Sequence, residues 1–422
     1  MTAQVLQTAR PGYDDGIARV RAIVVWLIFA SSFIVIFEPA PCDIFAILAL
    51  TFFFLPGVKI TPAVTPLLLL YFLLMVGYLA SYYANGPDDL GTFFLFSSGY
   101  NLLVSFFLAC LLSSDTENRF EIIKSGFVVG AVIAAIIALS AYINVAIVGT
   151  ALFKLGASGL IFYGRATGAF KDPNVFSTYI IFPTVLVFQN LLLGNVKRPF
   201  VSLVMFAVLF LSLFLAFSRG AWANFATACS FVILLTLLTT PSKVTRSRIF
   251  FYSLMLVGIL ALILTVLLSI PEVQATFTDR FELVKKYDGG ERGRFGNQLN
   301  AIPLLLQLPF GFGPYRFDRY FFSAPHNAFL NAFAAGGWLG GITYFTLVCC
   351  NIFVGLKSVF TRSPYQNYSI LVFACLIAVT FQGIQIDTEH WRHYYWLIGM
   401  MWGLFAATLS SESRPFRWRI RQ

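Results

Sequence analysis

Three stretches of the chain combine residue types suited to handling an anion. Arg292 and Arg294 stand one residue apart in the Gly-flanked segment Glu291-Arg292-Gly293-Arg294. Glycine lets backbone come close to a ligand, and a planar guanidinium can grip two phosphate oxygens at once. The same segment runs on through Pro309-Phe310-Gly311-Phe312-Gly313-Pro314, Arg316 and Arg319 to Pro325-His326-Asn327, just before a long apolar run. His326 is expected at the start of a helix, where free N–H groups and the dipole favour an anion. A neutral imidazole there can take a proton from an attacking hydroxyl. The bland alternative is a hydrogen-bonded structural histidine.

The second stretch is Phe217-Ser218-Arg219-Gly220-Ala221-Trp222. Arg219 lies between two apolar runs with almost no loop to hold it, so it sits at or just within an apolar boundary. A snorkelling interfacial arginine would fit. A buried one needs an anion, and few acidic residues are near, so a ligand phosphate would meet that need. The third stretch is Gly164-Arg165-Ala166-Thr167-Gly168-Ala169-Phe170-Lys171-Asp172-Pro173-Asn174. Asp172-Pro173-Asn174 reads as a helix start with Asp or Asn as the cap. Arg165 and Lys171 are then either ligand contacts or solvated charges on a capped turn.

The elements that must position these residues are membrane helices. Of 422 residues, 58% are hydrophobic and 11% charged, with 47 phenylalanines; mean hydropathy is +0.79. A soluble protein is nearer half apolar and a quarter charged. Long unbroken apolar runs without strand alternation indicate an all-α polytopic membrane protein. About twelve spans are expected, near 22–37, 44–55, 65–84, 92–112, 125–149, 174–193, 200–217, 221–240, 249–270, 326–356, 367–386 and 394–411. Residues 1–422 then form one integral membrane domain, with 271–325 a large outer loop between the ninth and tenth spans. Arg19 and Arg21 before Ala22–Phe37 could open a signal peptide, but Pro39-Ala40-Pro41-Cys42 offers no good cleavage site, so an uncleaved first span is expected.

Net charge is +10, carried by loops between spans. Topology and anionic lipid explain that better than nucleic acid, so no nucleic-acid partner is expected. Long loops are less bound by the positive-inside rule. With 271–325 set aside, most Lys and Arg residues are inside if both termini are cytoplasmic. Arg165, Lys171, Arg219 and the long loop are then basic on the side that topology disfavours, which points to function.

The six cysteines form no CxxC, and five lie in apolar runs, so they read as small packing residues. Gly336-Gly337-Trp338-Leu339-Gly340-Gly341 holds overlapping GxxxG pairs, which close helix packing explains. Gly311 and Gly313 follow no strand and are no nucleotide fingerprint. In Asp387-Thr388-Glu389-His390-Trp391-Arg392-His393 two histidines are three apart beside carboxylates. Without HExxH or an adjacent Cys, no metal is expected there. A polar, aromatic interface belt is expected instead, with a supporting wall of the site as the alternative.

Taken together, these residues resemble the O-antigen ligase and oligosaccharide-polymerase superfamily of bacterial inner membranes. The resemblance rests on Arg165-Ala166-Thr167-Gly168 with Asp172-Pro173-Asn174, on Ser218-Arg219-Gly220, on Gly293-Arg294, on Pro309 to Pro314, and on His326-Asn327 followed by Gly336 and Gly340. It covers roughly residues 160–345. It implies a metal-independent, inverting glycosyltransferase of the inner membrane that needs no cofactor. Such an enzyme moves a glycan from undecaprenyl diphosphate to an acceptor hydroxyl on the periplasmic face. The acceptor is lipid A-core in a ligase, the expected case, or another carrier-linked repeat unit in a polymerase. The family's two essential arginines fall on Arg219 and Arg294 and its essential histidine on His326, with Arg292, Arg165, Lys171 and Asn327 as further donor or glycan contacts. Many members carry an acidic residue in the helix after the His-Asn pair, where this chain has Ala334-Ala335-Gly336. A transporter or lipid flippase is the rival from another class. It predicts charges near the bilayer midplane and often repeated halves; no repeat is visible, and the charges gather at the outer edge.

Overall fold

Each expected apolar run overlaps a helix, although the first helix ends at Ala30 and 144–149 of the fifth run lie outside the described residues. The structure is a computed structural model that describes residues 11–54, 59–143, 161–162, 164–281, 289–290, 293–321 and 323–412. In chain order the helices are α1 (Pro11–Ala30), α2 (Pro41–Phe54), α3 (Thr65–Ala84), α4 (Asp89–Leu112), α5 (Thr116–Tyr142), α6 (Pro173–Leu193), α7 (Pro199–Leu215), α8 (Arg219–Thr239), α9 (Lys243–Leu268), α10 (Pro271–Phe281), α11 (Arg294–Gln307), α12 (Phe317–Phe321), α13 (Ala328–Phe360), α14 (Gln366–Gln382) and α15 (Arg392–Glu412). Between α5 and α6 two short strands, β1 (Ile161–Phe162) and β2 (Arg165–Ala166), pair antiparallel with Ile161 opposite Ala166. Among the described residues seven helices, α3, α4, α5, α6, α8, α9 and α13, are long and apolar enough to cross a membrane; α2, α7 and α14 are shorter apolar helices.

The starts follow local chemistry. Asp172 caps α6 as expected, its Oδ1 accepting the N–H groups of Asn174 and Val175 at 2.6 and 3.3 Å. Asp88 caps α4 through Gly91 N–H at 2.7 Å, and Ser218 caps α8 through Ala221 N–H at 3.4 Å. Gly194, at φ +70°, closes α6 in the left-handed region that terminates helices.

Small residues let the helices approach. A Cβ on Gly77 of α3 would lie 2.6 Å from the Gly340 nitrogen of α13, which is the close packing expected of the 336–341 glycines. A Cβ on Gly130 of α5 would meet the Phe29 carbonyl of α1 at 2.7 Å, and one on Gly399 of α15 the Ser105 carbonyl of α4 at 2.2 Å. Four of the six cysteines are buried free thiols; Cys349 and Cys350 of α13 are not fully buried.

Two expectations about the stretch 271–356 change. Among its described residues the long loop 271–325 contains three helices, α10, α11 and α12. The run at 326–356 is not one regular helix: Gly337 breaks α13 with φ 63° and ψ −161°, a region open essentially to glycine alone. The break receives the Pro309–Pro314 turn. Trp338 N–H donates to the Pro309 carbonyl at 2.9 Å, and Phe312 and Gly313 N–H both donate to the Ala334 carbonyl, at 2.8 and 3.1 Å. Ser81 of α3 fixes the turn from the other side, donating to the Phe310 carbonyl at 2.6 Å.

Candidate active site: an arginine-lined cavity

The ends of α8, α11, α13 and α14 converge on a cavity of about 1130 Å³. Arg219, Arg294 and His326, far apart in sequence, all line it. Arg165 lines it too, as does Arg280, in the last turn of α10. Four arginines and a histidine thus face one space, and no carboxylate is among its described lining residues. Like charges so grouped repel one another and raise the local concentration of anions.

Local structure explains each placement. Arg219 is the first residue of α8 and Arg294 the first of α11. A cation at a helix N-terminus opposes the helix dipole, at a cost of about 0.3–1 kcal/mol. Gly289, Gly290 and Gly293 line the same wall beside Arg294, and Gly290 takes φ +84°. Gly220, next to Arg219, packs so tightly on α14 that a Cβ would lie 3.2 Å from Gln382 Nε2. Arg280 sits at a helix C-terminus, where the dipole favours a cation.

Arg165 is buried and tied into the protein. Its Nε donates to the Ala216 carbonyl at 2.8 Å and its Nη2 to Asn174 Oδ1 at 2.9 Å. Ser218 Oγ donates to the same Asn174 oxygen at 2.8 Å. These bonds lock the turn before Arg219, so Arg165 positions that neighbour as well as bordering the cavity. Lys171 lies elsewhere: it lines a separate pocket and pairs with Glu38 at 2.5 Å. Arg292 lies outside the described residues. Arg316 and Arg319 are bound to Asp88 at 2.8 and 2.9 Å; they pin the loop to the α3–α4 turn.

His326 differs from the expectation that it opens the helix. It precedes the helix in left-handed backbone, φ +48°, and Asn327 is the cap, its Oδ1 accepting Leu330 N–H at 3.0 Å. Three further N–H groups at this end are engaged by the protein itself. Those of His326 and Asn327 donate to the Asp387 carboxylate at 3.1 and 2.8 Å, and that of Ala328 donates to the Gly383 carbonyl at 2.7 Å. The helix end therefore binds the protein's own carboxylate, and His326 borders the cavity. Gln298 and Arg294 of α11 hold the adjoining carbonyls: Gln298 Nε2 donates to Pro325 at 2.8 Å, and Arg294 Nη2 to His326 at 3.3 Å. Burial raises the Asp387 pKa above the usual carboxylate range; the His326 ring and the two N–H bonds pull the other way.

Asp387, Gln298 and Arg280 were not singled out as site residues from the sequence. Asp387 was visible only within a histidine-rich turn expected to be a polar, aromatic interface belt, with a supporting wall of the site as the alternative. That turn packs inward: His390 lies 4.6 Å from the Phe94 ring and 5.3 Å from Tyr315, and burial pushes its pKa down to about 4. Glu389 is buried against Asn331 and is raised well above the usual range by desolvation, then by Asp387.

Residues 204–345 match the family model described as O-antigen ligase. Over that stretch the chain is similar to the O-antigen ligase family, which supports the resemblance read from the sequence. The match covers about a third of the chain, from α7 into α13, and so takes in Arg219, Arg280, Arg294 and His326 while leaving Arg165 and Asp387 outside. No curated protein matches the chain significantly. The likeness suggests an activity of the O-antigen ligase or polymerase type, and the apolar helices fit a multi-pass membrane protein.

Proposed function

We propose that this protein transfers a glycan from undecaprenyl diphosphate to an acceptor hydroxyl at the periplasmic face of the inner membrane, ligating O-antigen onto lipid A-core. The observation that carries the reading is the cavity lined by four arginines with no carboxylate among its described lining residues, in a chain whose helices suit a membrane. A lipid-linked diphosphate is the anion that fits both facts.

In this mechanism Arg219 and Arg294 grip the diphosphate and offset the charge that grows on it as the anomeric C–O bond breaks. Arg280 adds charge from the third side. His326 accepts the acceptor's O–H proton while that oxygen attacks the anomeric carbon from the opposite face, so the configuration inverts. Asp387 holds the His326 backbone, and its negative charge favours the imidazolium that forms. Diphosphate leaves well once its charge is matched, so the step draws on no nucleotide.

The test uses purified protein, a carrier-linked glycan and, in parallel, lipid A-core or a second carrier-linked glycan as acceptor. Transfer to lipid A-core that is lost in His326→Ala supports the reading. Transfer to the second glycan alone would make the protein a polymerase. Full activity in a stably folded His326→Ala would overturn the role of His326.

A further inference from the structure

Helix α11 has three distinct faces. Asn297, Ala301 and Leu305 are buried against the protein. Gly296, Asn300, Pro303 and Gln307 form a more polar strip on another side, flanked by the exposed Leu304. The third face is apolar yet uncovered: Phe295, Leu299, Ile302 and Leu306, spaced i, i+4, i+7 and i+11, are 48%, 68%, 47% and 67% exposed. A helix with one face on protein, one polar and one bare apolar face suits a boundary between water and hydrocarbon.

Two neighbouring helices fix the depth of that boundary. Past its break, α13 runs from Trp338 to Phe360, roughly 34 Å at 1.5 Å per residue, enough to cross a hydrocarbon core of about 30 Å unaided. Trp338 then marks its outer edge and Lys357, in the last turn, its inner edge, as interfacial anchors do. On antiparallel α3 the same level carries Ser81, bonded to the Phe310 carbonyl, followed by Tyr82 and the exposed Tyr83. Helix α11 is fastened at this level: Trp338 Nε1 donates to the Leu305 carbonyl at 2.9 Å. On α13, Trp338, Ile342 and Phe345 are exposed apolar residues as well.

We propose that α11 is an interfacial anchor whose apolar face is covered by the acyl–headgroup boundary of the outer leaflet. The anchor sets Arg294, its first residue, at headgroup depth. The relevance of that depth to a lipid diphosphate rests on the proposed function; the depth itself does not.

The test places spin labels on the full-length protein in nanodiscs of phosphatidylethanolamine and phosphatidylglycerol. The background carries Cys349→Ser and Cys350→Ser, leaving only buried cysteines. Labels at Leu299→Cys and Leu306→Cys should show an oxygen-to-nickel-chelate accessibility ratio several-fold above labels at Asn300→Cys and Gln307→Cys, and near that of Ile342→Cys on the lipid-facing side of α13. A ratio equal to that of Asn300→Cys means water covers the face and overturns the anchor. Exclusion of both reagents means that protein covers it, a second copy included, and overturns it equally. An inactive protein with the expected ratios would instead count against the proposed function and leave the anchor standing.

Discussion

Replacing Asp387 with Asn separates what organises His326 from what stabilises the fold. The carboxylate accepts two backbone N–H groups, from His326 and Asn327. An Asn side chain of the same shape offers one oxygen and turns an NH2 toward the other donor. One charge-assisted bond, about 1.5–3 kcal/mol, is lost. His326 is in left-handed backbone, which costs a non-glycine residue roughly 1–2 kcal/mol, so it is free to relax once that bond is gone. If the loss falls wholly on the placement of the imidazole, glycan transfer drops by about 10- to 150-fold. Stability should move the other way or not at all. The folded pKa of Asp387 is raised by burial, so above the unfolded carboxylate range ionisation is a net cost to folding, and Asn removes it. The loss of a negative charge beside His326 should also move the acid limb of kcat/KM to lower pH. The assay is transfer from a carrier-linked glycan across pH, with Tm measured in detergent. A wild-type rate, or a rate loss matched by a fall in Tm with the pH limb unmoved, would refute the argument.

Arg294→Lys and Arg219→Lys should each cut kcat/KM by at least about tenfold in the same assay, since an ammonium cannot make the bidentate grip; rates near wild type would show that charge alone suffices. Arg280→Gln should raise the KM for the donor several-fold and leave Tm within a degree or two, measured by donor titration and thermal denaturation. Gly337→Ala should lower stability by about 3 kcal/mol or more, read by thermal denaturation. Its backbone is in a glycine-only region, and its Cβ would lie 2.2 Å from the Pro309 carbonyl oxygen. Glu389→Gln should gain on the wild type as pH rises from 5 to 8. The raised folded pKa means that the unfolded chain loses its proton first, so wild-type stability falls by up to about 1.4 kcal/mol per pH unit, and the variant lacks that slope. A Tm difference that does not change with pH would contradict this.

The sequence alone determined what depends on neighbours along the chain. Apolar runs of sufficient length must become helices in lipid, because backbone polar groups there have no water to bind; each expected run overlaps a helix, with Gly337 breaking the one at 326–356. The Asp172 cap was readable for the same reason, since its partners, Asn174 and Val175, are two and three residues away. Arg219, Arg294 and His326 stood out because charge beside apolar sequence is costly and needs an account. Tertiary structure alone decided what those residues face. Arg165 and Lys171 sit six residues apart in one turn, yet one borders the arginine cavity and the other pairs with Glu38. Asp387 reaches His326 across about sixty residues, and Arg280 joins the cavity because α10 folds back on α7 and α8, with Phe277 packed on Phe214 and Trp222. Such meetings depend on how helix ends converge in three dimensions, and no local propensity records that.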